Sequence, residues 1–325
     1  MIRRVQTVLV TFGTRPEAIK MAPVVAALRA RPDAFRTVVC VTAQHREMLD
    51  QVLARFDLVP DVDLDLMQPG QKLSELTARV LAGMTRTLEE TRADRIVVQG
   101  DTTTAMAAAL AAFHLEVPVA HVEAGLRSGR MDAPFPEEMN RVVIDALATD
   151  LFPPTPGAAA NLAAAGADPT RVLVTGNTSI DALLDLRDRL DDLEGLPVRD
   201  RFHDAERLVL VTAHRRESFG APLRAVFRAL QGIAEAHPDV TFVYPVHPNP
   251  NVLAPARELL TASNLVQIEP VDYAELTWLL DRCELVISDS GGIQEEAPTL
   301  GRPLMVLREE TERPELVEAG AGILV

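Results

Sequence analysis

VQTVLVTFGTRPE, residues 5–17, carries the reading of the fold. Residues 5–10 read as a strand covered on both faces, the habit of a parallel sheet packed under helices. A glycine turn follows at Gly13, and Pro16 sits near the first turn of a helix expected over residues 16–30. A glycine turn feeding a helix N-terminus is a natural anion site, and Arg15 can add a charged fork to a phosphate. A tight strand–helix turn with a surface arginine has the same sequence appearance. The spacing is not that of a dinucleotide fingerprint.

Outward from this unit the pattern repeats. Residues 38–41, 95–98 and 118–122 read as strands. Residues 45–56, the stretch from Ser74, residues 102–113 and residues 137–147 read as helices. A Pro-, Gly- and Ala-rich stretch at 152–166 ends the series, and a second one begins. Its strands are expected at 172–175, 208–212, 241–244, 266–268, 285–288 and 304–307, with a charged helix at 181–193 and a polar segment to about residue 206. Two tandem βαβ series in 325 residues imply an α/β chain of two Rossmann-like, doubly wound domains, 1–170 and 171–325, with an interdomain cleft. The sequence stops at Val325 in what reads as a strand, without the helix expected to cover that sheet.

Composition narrows the partners. Lys and Arg number 32 against 47 Asp and Glu, a net charge of −15. That argues against nucleic acid or an anionic membrane surface, but not against a small anion held by local donors. Cys40 and Cys283 sit in or beside apolar strand-like runs without ligand-like neighbours and read as buried thiols, which suits a reducing cytoplasm. The apolar run at the N-terminus is too short for a signal peptide. His114, Glu116 and Pro118 interrupt the Ala-rich stretch 105–119, so it is no membrane span.

Carboxylates beside phosphate-type loops are the chemical signal. Asp101, Glu123, Glu137 and Glu138 fall at strand ends or at a helix start; carboxylates there repel a bound diphosphate, and a chain that tolerates the repulsion needs them to move protons. Asp101 also reads as an ordinary helix N-cap. His121 and Glu123 resemble half a metal site, but no second ligand pair has useful spacing, so neither a metal nor another cofactor is expected. ISDSGGIQEE, residues 287–296, ends a strand and opens a helix. Ser290, Gly291 and Gly292 can cradle a diphosphate there, and Glu295 or Glu296 can accept from ribose hydroxyls; a plain Gly-rich turn is the alternative. Arg313 lies in a charged loop that could close over a nucleotide. His214, at a strand end beside Arg215 and Arg216, could donate to a departing phosphate.

TFGTRPEAIKMAP from Thr11, TAQHREMLDQ from Thr42, QGDTTT from Gln99, HVEAGLR from His121, FPEEMNR from Phe135, TGNTSIDAL from Thr175, HRRES from His214, YPVHPNPNV from Tyr244 and SDSGGIQEEAPTLGRP from Ser288 occur in that order. Together they closely resemble the non-hydrolysing UDP-N-acetylglucosamine 2-epimerases, over nearly the whole chain. The resemblance implies a two-domain fold like that of the GT-B glycosyltransferases, with a UDP-sugar in the cleft. It also implies a cytoplasmic homodimer that interconverts UDP-GlcNAc and UDP-ManNAc. The UDP-binding set it implies is Arg15, Lys20, His214, Ser290, Gly291, Gly292, Glu296 and Arg313; the catalytic set is Asp101, Glu123, Glu137 and His214.

Some bacterial relatives bind a second UDP-GlcNAc as an activator, and Gln44, Glu47, Glu138, Arg215 and His247 match positions linked to that site. Gly70 stands near the place of an arginine used there by some relatives. Val271 and Leu276 depart from the family pattern near the expected uracil contacts, and the family's C-terminal helix, which crosses back to the first domain, is not in the sequence. A GT-B glycosyltransferase, a hydrolysing 2-epimerase and an epimerase of a modified UDP-sugar remain as alternatives.

Overall fold

The structure, a computed structural model, describes residues 4–42, 46–66, 68, 70–311 and 313–325. The chain divides into two compact units, Met1–Ala182 and Leu183–Val325.

In the first unit, β1 (Gln6–Phe12), β2 (Phe35–Val41), β3 (Val62–Asp63), β4 (Arg95–Gln99), β5 (Val119–Val122) and β6 (Asp150–Phe152) form one sheet. The order is β3-β2-β1-β4-β5-β6 and every pair is parallel. Val8, Leu9, Val10 and Phe12 of β1 are buried, as a central strand covered on both faces requires. The helix Thr103–His114 is built largely of alanine. Alanine favours the helix and leaves no bulk between it and its neighbours. Its buried alanines join Leu76, Val80, Met84 and Leu88 of the helix Leu73–Thr91 in one core cluster.

The second unit repeats the plan. Its strands are β7 (Leu208–Thr212), β8 (Thr241–Pro245), β9 (Leu265–Ile268), β10 (Leu285–Ser288), β11 (Leu304–Val306) and β12 (Gly322–Leu324). They run β12-β11-β10-β7-β8-β9, again all parallel. Read from β9, this is the strand order of the first sheet. Phe227, Phe242 and Tyr244 fill its core. The buried Tyr244 hydroxyl donates to the Ala213 carbonyl at 2.6 Å, and burial raises its pKa. Both sheets are therefore doubly wound, with the order reversing beside β1 and beside β7.

The structure differs from the sequence reading in several details: the strands Val62–Asp63 and Asp150–Phe152 and the helix Pro156–Ala164 are additional to it. Residues 172–175 make a single bridge, Val172 to Leu151, where a strand is expected. Leu173 and Val174 are 61% and 45% exposed, so nothing covers that segment and the ladder stops. The helix expected at 181–193 runs Thr178–Asp188, because the Asn177 side chain accepts from Ser179 N at 3.0 Å and starts it earlier. The polar segment before residue 206 contains a short helix, Pro197–Phe202. Among the described residues, no helix is long and apolar enough to cross a membrane.

Cys40 and Cys283 are both buried and unbridged, and burial pushes each thiol up to about 12. The thiolate is the reactive form, so both should be inert in the folded chain. An aromatic disulfide reagent at pH 8 is expected to release no thiolate from native protein and to titrate both cysteines in denaturant. Fast labelling of the native protein would contradict this burial.

Candidate active site

In a doubly wound sheet the reversal of strand order leaves a crevice at the carboxyl ends of the flanking strands. In the first unit these are the ends of β1 and β4. Gly13 follows β1 where no side chain fits: a Cβ there would lie 2.3 Å from Thr42 Oγ1 and 2.8 Å from Thr104 Oγ1. Thr14 then caps the helix Arg15–Arg29 in a capping box with Glu17. Glu17 Oε2 accepts from the backbone N–H groups of Gly13 at 3.0 Å and Thr14 at 2.8 Å, and Oε1 from the Thr102 hydroxyl at 2.7 Å. Burial raises the Glu17 pKa, with these hydrogen bonds opposing the rise. The box sets Arg15 at the first helical position, exposed and without a hydrogen bond or ion pair among the described residues.

The carboxylates sort themselves by their partners. Thr102, not Asp101, caps the helix Thr103–His114, accepting from Ala105 N at 3.0 Å. Asp101 is thereby released from capping. Its Oδ2 takes Arg141 Nη2 at 2.6 Å, and its Oδ1 has no partner among the described residues. Glu123, just past β5, has a left-handed backbone with φ +66. Its Oε1 pairs with Lys20 Nζ at 2.5 Å and its Oε2 accepts from Gln99 Nε2. A Cβ on Gly100 would lie 3.5 Å from Glu123 Oε2, so this carboxylate stands beside the turn that carries Asp101.

Glu137 opens the helix Glu137–Leu147, half-buried, with no hydrogen bond or ion pair to a described residue. Glu138 is 2% exposed and tied into its loop: Ser128 N donates at 3.0 Å, Gly129 N at 3.1 Å, and Arg141 Nη1 lies at 3.3 Å. Arg141 thus bridges Glu138 and Asp101. Asp101, Glu123 and the start of this helix gather at one rim, and Lys20, expected to touch a nucleotide, pairs with Glu123.

In the second unit the corresponding rim lies at the ends of β7 and β10. Asp289, with its side chain 2% exposed, accepts through Oδ2 from His214 N at 2.6 Å and Arg215 N at 2.7 Å. Its Oδ1 lies 3.6 Å from His214 Nδ1. The His214 ring stacks on His247, with centroids 5.4 Å apart and planes 9° apart. Burial lowers the His247 pKa, His214 lowers it further, and Asp289 opposes both.

A Cβ on Gly291 would meet Arg313 Nη1 at 3.2 Å and Arg215 Nη2 at 3.3 Å, so two guanidinium groups converge on Gly291. The helix that follows, Ile293–Thr299, has seven residues. Ser290 N donates to Ser288 Oγ at 2.9 Å. Glu295 holds Arg313 Nε at 2.6 Å, and Glu296 Oε1 accepts the Tyr273 hydroxyl at 3.1 Å.

Gln44 lies outside the described residues, and Glu47 is in the helix Arg46–Arg55 with its side chain outside them. Among the described residues, no group of three or more His, Cys, Asp and Glu is placed to hold a metal ion. His121 is engaged elsewhere, with Nδ1 2.7 Å from Asp145 Oδ1 and Nε2 2.8 Å from the Gly100 carbonyl.

The sequence reading does not single out Gln99, Arg141, Asp145, Tyr273 or Asp289. Arg141 carries a signal, since it stands three residues after Glu138 on a helix, at ion-pair spacing. Asp289 adjoins the serine–glycine turn but gives no hint of which N–H groups it grips.

A family model described as UDP-N-acetylglucosamine 2-epimerase matches residues 26–325. A Yersinia pestis protein named UDP-N-acetylglucosamine 2-epimerase is 52% identical over 324 residues, covering 98% of this chain and 86% of that protein. The crystal structure of the Neisseria meningitidis UDP-GlcNAc 2-epimerase bound to UDP-GlcNAc matches with a TM-score of 0.85 at 44% identity, covering 98% of this chain and 87% of that one. The Methanocaldococcus jannaschii enzyme in complex with UDP-GlcNAc and UDP matches with a TM-score of 0.78 at 35% identity, covering 98% and 89%.

The Glu17 box should govern both stability and its pH dependence. Glu17→Ala strips three donors of their acceptor and should cost about 1–3 kcal/mol; Glu17→Gln should cost less. A raised carboxyl pKa means the folded chain holds the proton more tightly. The stability from that preference is full below about 4.5 and is lost as pH rises through the raised value. Melting curves from pH 4 to 8 should therefore show Glu17→Gln gaining on the wild type as pH rises. A constant gap would show that Glu17 does not titrate this way.

Proposed function

The chain belongs to the UDP-N-acetylglucosamine 2-epimerase family, and from that premise we propose that it interconverts UDP-GlcNAc and UDP-ManNAc at carbon 2, without hydrolysis and without a cofactor. The observation that carries the reading is the division of charge. The first unit offers two carboxylates with oxygens unpartnered among the described residues, Asp101 and Glu137, and the second offers two arginines converging on Gly291.

The proton on carbon 2 of the sugar is not acidic in the ground state. It becomes acidic as the bond from the anomeric carbon to the diphosphate oxygen lengthens and positive charge develops on the ring. Arg15, Arg215, Arg313, His214 and the Ser290–Gly292 backbone would stabilise the departing diphosphate. One carboxylate then removes the proton. The C1–O and C2–H bonds break, a C1–C2 double bond forms, and the products are 2-acetamidoglucal and UDP. Return of a proton to the opposite face of carbon 2, with UDP re-adding at carbon 1, gives the epimer with no net redox change.

Inversion requires groups on two faces. Asp101 and Glu137 suit the two transfers, because each keeps oxygen lone pairs unclaimed within the described structure. Glu123 suits a fixed role: Lys20 and Gln99 occupy both its oxygens, and its charge opposes the positive ring of the transition state. Exclusion of water would keep the glycal from escaping.

One NMR time course of UDP-GlcNAc alone in heavy water tests the proposal. The expected result is UDP-ManNAc carrying deuterium at carbon 2. Free N-acetylmannosamine would assign a hydrolysing enzyme, and no change without an acceptor would favour a glycosyltransferase. Asp101→Asn is expected to lower kcat by about 100-fold or more while UDP affinity stays within about threefold. Wild-type turnover in that variant overturns the proton-transfer assignment.

A further inference from the structure

We propose that the buried pair His121–Asp145 is a positioning strut that fixes the two turns carrying Asp101 and Glu123 relative to each other, an inference that rests on the function proposed above. His121 lies on β5 with none of its side chain exposed, and Asp145 lies on the helix Glu137–Leu147 with 5% exposed. Both ring nitrogens face acceptors: Nδ1 a carboxylate oxygen at 2.7 Å, Nε2 the Gly100 carbonyl at 2.8 Å. Asp145 completes its own shell with Arg127 Nη1 at 2.7 Å and Gly125 N at 3.2 Å. Burial alone would raise the Asp145 pKa, but His121 and Arg127 outweigh it and hold it low.

A continuous chain of contacts results, from Gly100 through His121 and Asp145 to Gly125. Gly100 precedes Asp101, and Gly125 lies two residues past Glu123. At the first turn the restraint is doubled. His121 holds the carbonyl of the peptide before Asp101, and Asn140 Nδ2 donates at 2.8 Å to the carbonyl of the peptide after it. Pinning both flanking peptides fixes the backbone angles of Asp101. Arg141 then fixes one carboxylate oxygen, and the other has no partner among the described residues. At the second turn no side chain fits on Gly125, where a Cβ would lie 2.3 Å from the Ala158 carbonyl oxygen. The strut therefore joins two turns that are each already stiff. A proton-transfer group displaced by about 1 Å loses roughly two orders of magnitude in rate, which is the reason to spend buried polar groups this way.

The test uses two amides that each mimic one ring nitrogen. The His121→Gln amide nitrogen reaches about as far as Nε2 and can still donate to the Gly100 carbonyl. That of His121→Asn sits near Nδ1 and can donate only to Asp145. Each variant therefore breaks the strut at one joint. With UDP-GlcNAc as substrate, both are expected to lose roughly 10- to 100-fold in kcat, with KM and UDP affinity nearly unchanged. Melting-temperature losses with wild-type kcat in both would show a merely structural role and overturn the proposal. Wild-type kcat in His121→Gln alone would overturn it too, because the Asp145 joint would then not be needed. If His121→Asn does not fold, His121→Gln decides: a kcat-selective loss supports the strut, and unchanged kcat refutes it. Absence of epimerase activity in the wild type would instead reject the functional reading.

Discussion

A carboxylate sealed from water is unfavourable by several kcal/mol unless donors surround it. Three acids among the described residues are surrounded in the same way, by taking consecutive backbone N–H groups of a loop. Glu17 takes Gly13 and Thr14, Glu138 takes Ser128 and Gly129, and Asp289 takes His214 and Arg215. In each case the loop sits at the carboxyl end of the parallel sheet or on the helix that borders it. Parallel strands end with unpaired peptide groups there, and the buried acid satisfies two of them at once. The exchange is mutual: the acid would be intolerable without the loop, and the loop would have no fixed shape without the acid.

This constraint divides the acids into two kinds. In one kind N–H donors fill the carboxylate oxygens, and in the other at least one oxygen has no partner among the described residues. Glu138 is adjacent to Glu137 and shares its motif, yet the first is enclosed and the second carries no partner among the described residues. Asp101 and Glu123 differ in the same sense. Asp101 keeps one oxygen open, whereas Glu123 is bound on both. Proton transfer needs an accessible lone pair, so partner count ranks these groups better than charge or motif membership does.

The fold was largely legible in the sequence, because strand burial and glycine turns are local. The helix Glu137–Leu147 begins and ends where the periodicity places it. The segment 172–175 misled because its apolar residues look like a strand, and nothing local says that Leu173 and Val174 stay uncovered. Candidate residues could be named from motifs, but their partners could not. Asp101 looks like a helix cap in isolation; that Thr102 takes the cap instead depends on where the first turn of the helix starts. His121, two residues before Glu123, reads only as half a metal site without a second ligand pair, and nothing local points to Asp145, 24 residues away, as its partner. Such pairings are set by tertiary packing, and sequence spacing does not encode them.

Glu123 shows how these restraints act together. A left-handed backbone at a residue with a Cβ costs on the order of 1 kcal/mol or more. Glycine would relieve it, but would remove the carboxylate. The strain is held from several sides. Glu123 N and Ala124 N both donate to the Phe152 carbonyl, at 3.0 and 3.3 Å, and the turn is locked two residues later at Gly125. The side chain is held in turn by Lys20 and Gln99. A strand continuing regularly from β5 would carry residue 123 along the ladder; the left-handed turn brings its carboxylate over Gly100, beside Asp101. The result is a locally unfavourable conformation, over-determined by its surroundings, that ends in a carboxylate held on both oxygens.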